Sequence, residues 1–527
     1  MKRKLSAFLA LALSVTALTA CNSGSNGGVT ELGESKYGDT YPIDTDKTLT
    51  WYIPLESNAA QSVKNLGDTA FAKELERQLG VDIEFIHPAT GGSESFNLML
   101  ASDELPDIIS HYWTDFPGGP DKAIADGYII NLADYVDAYA PNLKKLLNDN
   151  PEYAKDIKTD TGNVYQVPYI TTAVSTGGII IRQDWLDDLG LQMPNTLDEW
   201  ENVLTQIKDK KGAKAPFSAE MVNVFRCGAF SGAYGLQLGW YLDDGKVNYG
   251  YYADGYKDFL TKMNDWYEKR LIDRNFSTSD SKTFTANMLN GTSGVKYGGI
   301  TSGINKFNSA KAETDPKYKV VAAPFPTAKK GETPEFGQKS SAVTVFGCAI
   351  STSCDDPELA MRVLDFAYSE AGQMIFNYGV EGESYEMVDG KPVFTDKILK
   401  PEEGKTTGQV LSYYAKPYNS YNSIQIMDAY TQTLTTPEMV NALTVWADCN
   451  QDKHSLPKLF ATAEEQAELA TLENAVSTYA QEMLFMFVMG AESLDNYDKY
   501  IKNLEDMGIK RLIELKQAAY ERAQNRK

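Results

Sequence analysis

The stretch VDIEFIHPATGGSESFNLMLASDELPDIISHYW (residues 81–113) decides the fold class. Val81 to Ile86 alternates apolar and polar residues with the two-residue period of a strand. Ser95 to Ala101 fits a helix, and Asp107 to Trp113 is strand-like again. Upstream, Thr48 to Leu55 (TLTWYIPL) is a β-rich run. Asp68 opens a helix with Phe71, Leu75 and Leu79 at helical spacing, and Gly80 closes it. This β-α-β-α-β order predicts a parallel sheet with right-handed crossovers. Ligands of such sheets bind beyond the carboxyl ends of the strands. His111, Tyr112 and Trp113 end one strand and are placed where a ligand would sit.

A second α/β set follows. Gly177 to Ile181 is a short apolar run, and Arg182 to Leu189 is a short helix closed by Gly190. Thr196 and Glu199 have the spacing of a capping box at the start of the next helix. GVKYGGI (294–300), YKVVAA (318–323) and AVTVFGCAI (342–350) are strand-like, and a helix is predicted over 357–368. Residues 464–522 are helical, interrupted by Gly490 and Gly508. A chain of 527 residues is too long for one core, so two or more domains are expected.

The N-terminus reads as a targeting segment. Lys2, Arg3 and Lys4 precede an apolar run from Leu5 to Leu18, too short to span a bilayer comfortably. Residues 1–20 are the expected signal peptide. Its loss removes three positive charges and takes the formal net charge from −22 to −25. Such a balance argues against nucleic acid or anionic lipid as the main partner. Residues 21–46, rich in Gly, Ser, Asn and Thr, are expected to form a flexible tether.

Catalytic signals are weak. Three widely spaced histidines argue against a His-based metal or nucleophile site. No G-x-S-x-G elbow, P-loop or H-E-x-x-H is present, and SDSK (279–282) lacks the companion motifs of the penicillin-recognising enzymes. Glu220, Asp243, Glu381 and Glu383 could supply a glycosidase's carboxylate pair, but among 72 acidic residues that signal has little specificity. No cofactor is expected. A structural calcium site is conceivable in DIKTDTGN (156–163), although its spacing does not fit an EF-hand loop, and a turn closing a hairpin explains the same residues. Cys227, Cys348, Cys354 and Cys449 lack C-x-x-C spacing and read as buried thiols, with a Cys348–Cys354 pairing left open.

Several motifs carry a family resemblance. LTAC (18–21) resembles the bacterial lipobox. LMLASDELPDII (98–109), IIIRQDWLDDLGLQMPNTLDEW (179–200), NYGVEGESYEMVDGKPVFT (377–395) and FVMGAESLDNYDKYIKNLEDMGIKRLIELKQAAYERA (487–523) resemble, in order, segments of the family 1 extracellular solute-binding proteins. These are lipoprotein receptors of ABC importers for sugars. The resemblance implies an α/β, two-lobed periplasmic-binding-protein-like fold of type II. Each lobe would be a mainly parallel sheet flanked by helices, with the ligand between the lobes. It also implies acylation of Cys21, a monomer anchored by lipid to the outer face of the bacterial cytoplasmic membrane, and delivery to permease subunits. The first lobe is expected over 47–170 and 345–380, and the second over 175–340 and 381–527. Crossing segments are expected near Pro168–Thr176, near Lys339–Thr344 and after Phe376.

The aromatic load bears on the ligand. With 31 Tyr and 7 Trp, the chain can offer flat apolar faces to sugar C–H groups while keeping polar handles. An oligosaccharide is therefore the expected ligand. The candidate binding residues are Trp51, Tyr112, Trp113, Arg182, Trp240, Tyr297, Tyr378 and Glu381. Trp51 lies near the end of the first strand, and Trp240 opens GWYLDDGKVNYGYY (239–252). Tyr297 is followed by two glycines that permit close backbone approach. Arg182 begins a helix just after a strand, whereas neighbouring Trp185 reads as a core anchor. Two alternatives remain at this point: a surface glycoside hydrolase, and a two-lobed receptor for peptides or other non-sugar solutes.

Overall fold

The computed structural model describes residues 32–88, 93–102, 105–172, 175–416 and 422–526. The expected signal peptide, Cys21 and the expected tether up to residue 31 lie outside the described residues. The chain first lays down β1 (Thr48–Tyr52), β2 (Asp82–Ile86), β3 (Ile108–Tyr112) and β4 (Val167–Ile170). It then crosses to a second body with β5 (Gly177–Arg182), β6 (Trp240–Asp243), β7 (Lys246–Tyr249), β8 (Val295–Gly299) and β9 (Val320–Ala323). It returns with β10 (Val343–Ile350), the hairpin β11 (Tyr385–Val388) and β12 (Lys391–Phe394), and β13 (Ser423–Ile424).

In the first lobe six strands are ordered β13-β4-β10-β3-β1-β2. The pairs β1/β2, β1/β3 and β4/β13 are parallel, as the crossover pattern predicts. β10 enters antiparallel between β3 and β4, because it arrives from the other lobe rather than through a helix on the same face. The helix Ala70–Leu79 starts two residues after Asp68, the expected start. Thr69 is the cap, its side chain accepting from the Ala72 amide, and Gly80 ends the helix at φ 71°. Phe71, Leu75 and Leu79 face the core that also holds Trp51, Phe85 and Phe376.

The second lobe departs from expectation. Its sheet is three-stranded, ordered β8-β5-β9, and both pairings are antiparallel, not parallel. β5 is buried throughout, which explains its continuous apolar reading. The body around it is helical and aromatic, with Trp200, Trp266, Trp446, Tyr256 and Tyr500 fully buried. The Thr196–Glu199 capping box is formed. Gly490 and Gly508, at φ 70° and 94°, separate the helices Gln466–Val488, Tyr497–Asp506 and Ile509–Gln524.

Two expected boundaries shift. Residues 378–429 carry a small core apart from that of the second lobe, and Tyr430 packs on the latter. Tyr378, Tyr385, Phe394, Ile398, Leu411 and Ala429 form this small core, and this segment delivers β13 to the edge of the first sheet. The third crossing therefore follows β13, over 425–436, rather than directly after Phe376. Part of the segment expected as tether, residues 32–46, is packed on the first lobe. Asp356, nearly buried, gathers Lys36, Lys47 and the Tyr37 hydroxyl, while Ile43 sits in the first core.

Candidate functional site

The first crossing, 171–176, joins β4 to β5, and the second, 324–342, joins β9 to β10. Between them lies a 590 Å3 cavity reached by Tyr169 and Thr171 of the first lobe and by Tyr297 and Gly299 of the second. Gln338 on the second crossing accepts from the backbone amides of Thr176 and Gly177 on the first, each at 3.1 Å. Gln425 on the third crossing accepts from the Thr171 hydroxyl at 2.9 Å. The three crossings are thus laced by glutamine amides at the floor of the cavity.

The cavity continues along the second lobe. Tyr297 and Gln338 also line an adjoining 370 Å3 space with Arg226, Gln237 and Gln451. Gln237, Lys339 and Gln451 line a further 870 Å3 space, which Trp240 shares. Trp240 and Arg226 then border another 370 Å3 space beside Tyr249 and Tyr251. Together these make one groove, floored by the crossings and walled by tyrosines, a tryptophan and side-chain amides.

Two sequence candidates meet in this groove. Tyr297 stands on the edge strand β8, half-buried. Burial, with the Cys227 thiol beside it, holds its hydroxyl well above the usual phenol range, so it is a neutral donor. Cys227 itself is pushed up to about 11 by burial, which leaves an inert thiol. Trp240 opens the hairpin β6–β7, with its ring 4.6 Å from that of Tyr249 and its Nε1 donating to Glu473 at 3.1 Å. Tyr112 is 42% exposed, and its ring rests on Phe346 at the start of β10, near Thr344 of the cavity wall.

The other candidates are committed elsewhere. Trp51 is 2% exposed, and its Nε1 donates to Ser110 within the first core. Trp113 has no exposed surface and packs on Phe96 and Phe116. His111 stacks on Phe96, and burial pushes this histidine down to about 4. Arg182 is paired with Asp184 and sandwiched against Trp185 and Tyr318, so it braces the second lobe. Tyr378 is buried with its hydroxyl on Asp428. Glu381 is exposed on a loop that does not border the groove. Strand-end aromatics suggest ligand platforms, but large rings adjoining a sheet fill its core first.

The residues missed are Arg226, Gln237, Gln338, Gln425, Gln451 and Tyr430. No spacing marks an isolated glutamine in a loop. The available signal was position, since Gln338 adjoins the expected crossing at Lys339. The loop 156–163 closes as a hairpin turn, with the Thr159 amide donating to Asn163 at 2.9 Å. Its acids do not converge on a cation site: Asp160 binds Arg522 and Arg526. Among the described residues no group of three His, Cys, Asp or Glu is placed to hold a metal. The four described cysteines are free, Cys348 and Cys354 included.

Comparison with known proteins gives the family. The chain is 24% identical to the fructooligosaccharide ABC transporter substrate-binding protein FusA of Streptococcus pneumoniae, over 98% of each chain. It is 24% identical to the polygalacturonan/rhamnogalacturonan-binding protein YtcQ of Bacillus subtilis, over 97% of this chain and 98% of the relative. Among solved structures, the alginate-binding protein AlgQ2 without calcium ion superposes with a TM-score of 0.73 at 28% identity, covering 92% of this chain and 100% of the other. The model of the bacterial extracellular solute-binding proteins matches residues 59–374. The chain is therefore a binding protein and not an enzyme, and it belongs to the bacterial extracellular solute-binding protein family.

Proposed function

We propose that this chain captures an oligosaccharide between its lobes and presents it to the permease of an ABC importer, held at the membrane by lipid on Cys21. The observation that carries the reading is the groove itself. Aromatic faces (Trp240, Tyr249, Tyr297) and side-chain amides converge there, the combination that recognises a sugar's C–H face and its hydroxyls together. Relatives named for fructooligosaccharide, polygalacturonan and alginate binding support the same class of ligand. Among the described residues no helix is long and apolar enough to cross a membrane; in this reading the lipobox-like LTAC supplies the anchor. Ligand contacts to both lobes favour the closed state only through their greater affinity for it.

Calorimetric titration with oligosaccharides and peptides tests this. Heat from oligosaccharides, with no cleavage products by chromatography, is expected. Heat from peptides alone refutes the sugar reading, and turnover refutes simple capture. Cys21→Ala is expected to release the protein from membranes while leaving ligand affinity intact.

A further inference from the structure

We propose that the oligosaccharide is acidic, and that Arg226 receives a carboxylate of one of its sugar units. This rests on the groove being the carbohydrate site. The middle of the groove is lined by Arg226, Lys339, Tyr297 and four side-chain amides, and no Asp or Glu lines it. That is unexpected in a chain with 72 acidic and 50 basic residues.

Arg226 is exposed at the end of the helix Met221–Arg226. Among the described residues, seven of the nine arginines have a carboxylate within 4 Å: Arg77, Arg182, Arg274, Arg362, Arg511, Arg522 and Arg526. The exceptions are Arg226 and Arg270, and Arg270 sits on a turn that does not border the groove. The acids around Arg226 already have partners. Glu473 accepts from Lys516 and from Trp240 Nε1, both at 3.1 Å. Glu220 accepts from Asn223 at 2.5 Å, and Asp452 holds Lys339 at 2.6 Å.

A cation at a helix C-terminus compensates the helix dipole, but that does not explain the acid-free, amide-lined space on one side of Arg226; on the other side Glu473 is already held by Lys516 and Trp240. A neutral glycan would leave the guanidinium without a counter-charge as closure removes water, which is costly. A carboxylate fits the planar fork in two parallel hydrogen bonds. The sugar ring bearing it, or its neighbour, then lies against Trp240 and Tyr249. The charge also sets specificity within the carbohydrate class, since an esterified unit keeps its shape and loses the pairing.

The test titrates the full chain with trigalacturonate, its methyl ester, neutral galactotriose, a sulfated trisaccharide and a peptide panel, at low and high salt. Trigalacturonate is expected to bind about tenfold or more tighter than its ester, with an advantage that shrinks in salt. In Arg226→Gln that advantage is lost, and Arg226→Lys keeps part of it. Melting midpoints confirm that both variants fold. Equal affinity for acid and ester, or an advantage that survives Arg226→Gln, overturns the proposal and leaves sugar capture standing. Preference for the sulfated trisaccharide overturns the carboxylate assignment. Heat from peptides alone, or from no ligand, overturns the carbohydrate reading as well.

Discussion

The lobes are joined at two polar places. At the C-terminal joint, Asp160 of the first lobe takes Arg526 at 2.7 Å and Arg522 at 3.3 Å. Arg522 also holds Glu465 at 2.6 Å, and Arg526 stacks on Phe460. The Arg526 side chain is 2% exposed. In the middle of the groove the polar groups are amides, the Tyr297 hydroxyl, Lys339 and Arg226, and Arg226 has no carboxylate within ion-pair distance. The first place is electrostatically saturated and dry, while the second is unsaturated and open. Saturation suits a pivot that holds its geometry, whereas unsaturation suits a surface that waits for a ligand.

The largest expected effect breaks the saturated side. Asp160→Ala strands Arg526 in a buried position, and losing one partner of such a pair costs about 3–5 kcal/mol. The melting midpoint is expected to fall by several degrees, more than for any groove variant. An unchanged midpoint would show the clasp to be ornamental. On the open side the effects reverse. Trp240→Ala and Tyr297→Ala are expected to weaken oligosaccharide binding by roughly 10- to 100-fold, the loss of about 1.4–3 kcal/mol of stacking and hydrogen bonding, with smaller midpoint shifts. Full affinity in both variants would show that the groove is not the site.

The same contrast explains what could be read from the chain. The crossover order of β1, β2 and β3 was legible because alternation and helical spacing report burial directly, as Val81–Ile86 shows. The antiparallel β5–β8–β9 sheet was not, because GGIII and YKVVAA are apolar runs whose partners and directions are set by distant segments. Trp240 and Tyr297 were legible as amphipathic aromatics beside glycines. Trp51 and Trp113 stand at strand ends and Arg182 at a strand-to-helix turn, yet only packing distinguishes a buried ring or a paired guanidinium from a free one. The glutamines of the crossings have no signature at all.

A smaller effect belongs to the joint's titration. Lys458 Nζ donates to the carbonyls of Asp156 and Thr344, so it too ties the lobes together, and burial pushes it down to about 8. A lysine whose pKa is lower in the folded state penalises folding while both states are charged. That penalty is full below about 8 and is relieved as pH rises toward the ordinary value of 10.5. The difference in stability between wild type and Lys458→Met is therefore expected to shift in favour of wild type between pH 8 and 10. A difference that is flat with pH would show the lysine to be hydrated.

The least effect is expected where a pair lies at the groove rim. Lys339 meets Asp452 at 2.6 Å, but the Asp452 side chain is 78% exposed. Although the Lys339 side chain is only 14% exposed, a pair with one partner this open to water contributes at most about 1 kcal/mol and is screened by salt. Asp452→Asn is expected to leave the melting midpoint nearly unchanged while freeing Lys339 to face the groove. Affinity for an acidic trisaccharide should then rise slightly at low salt, and that for a neutral one should stay the same. A stability loss comparable to that of Asp160→Ala would mean the rim is as saturated as the clasp, and the distinction between the two joints would collapse.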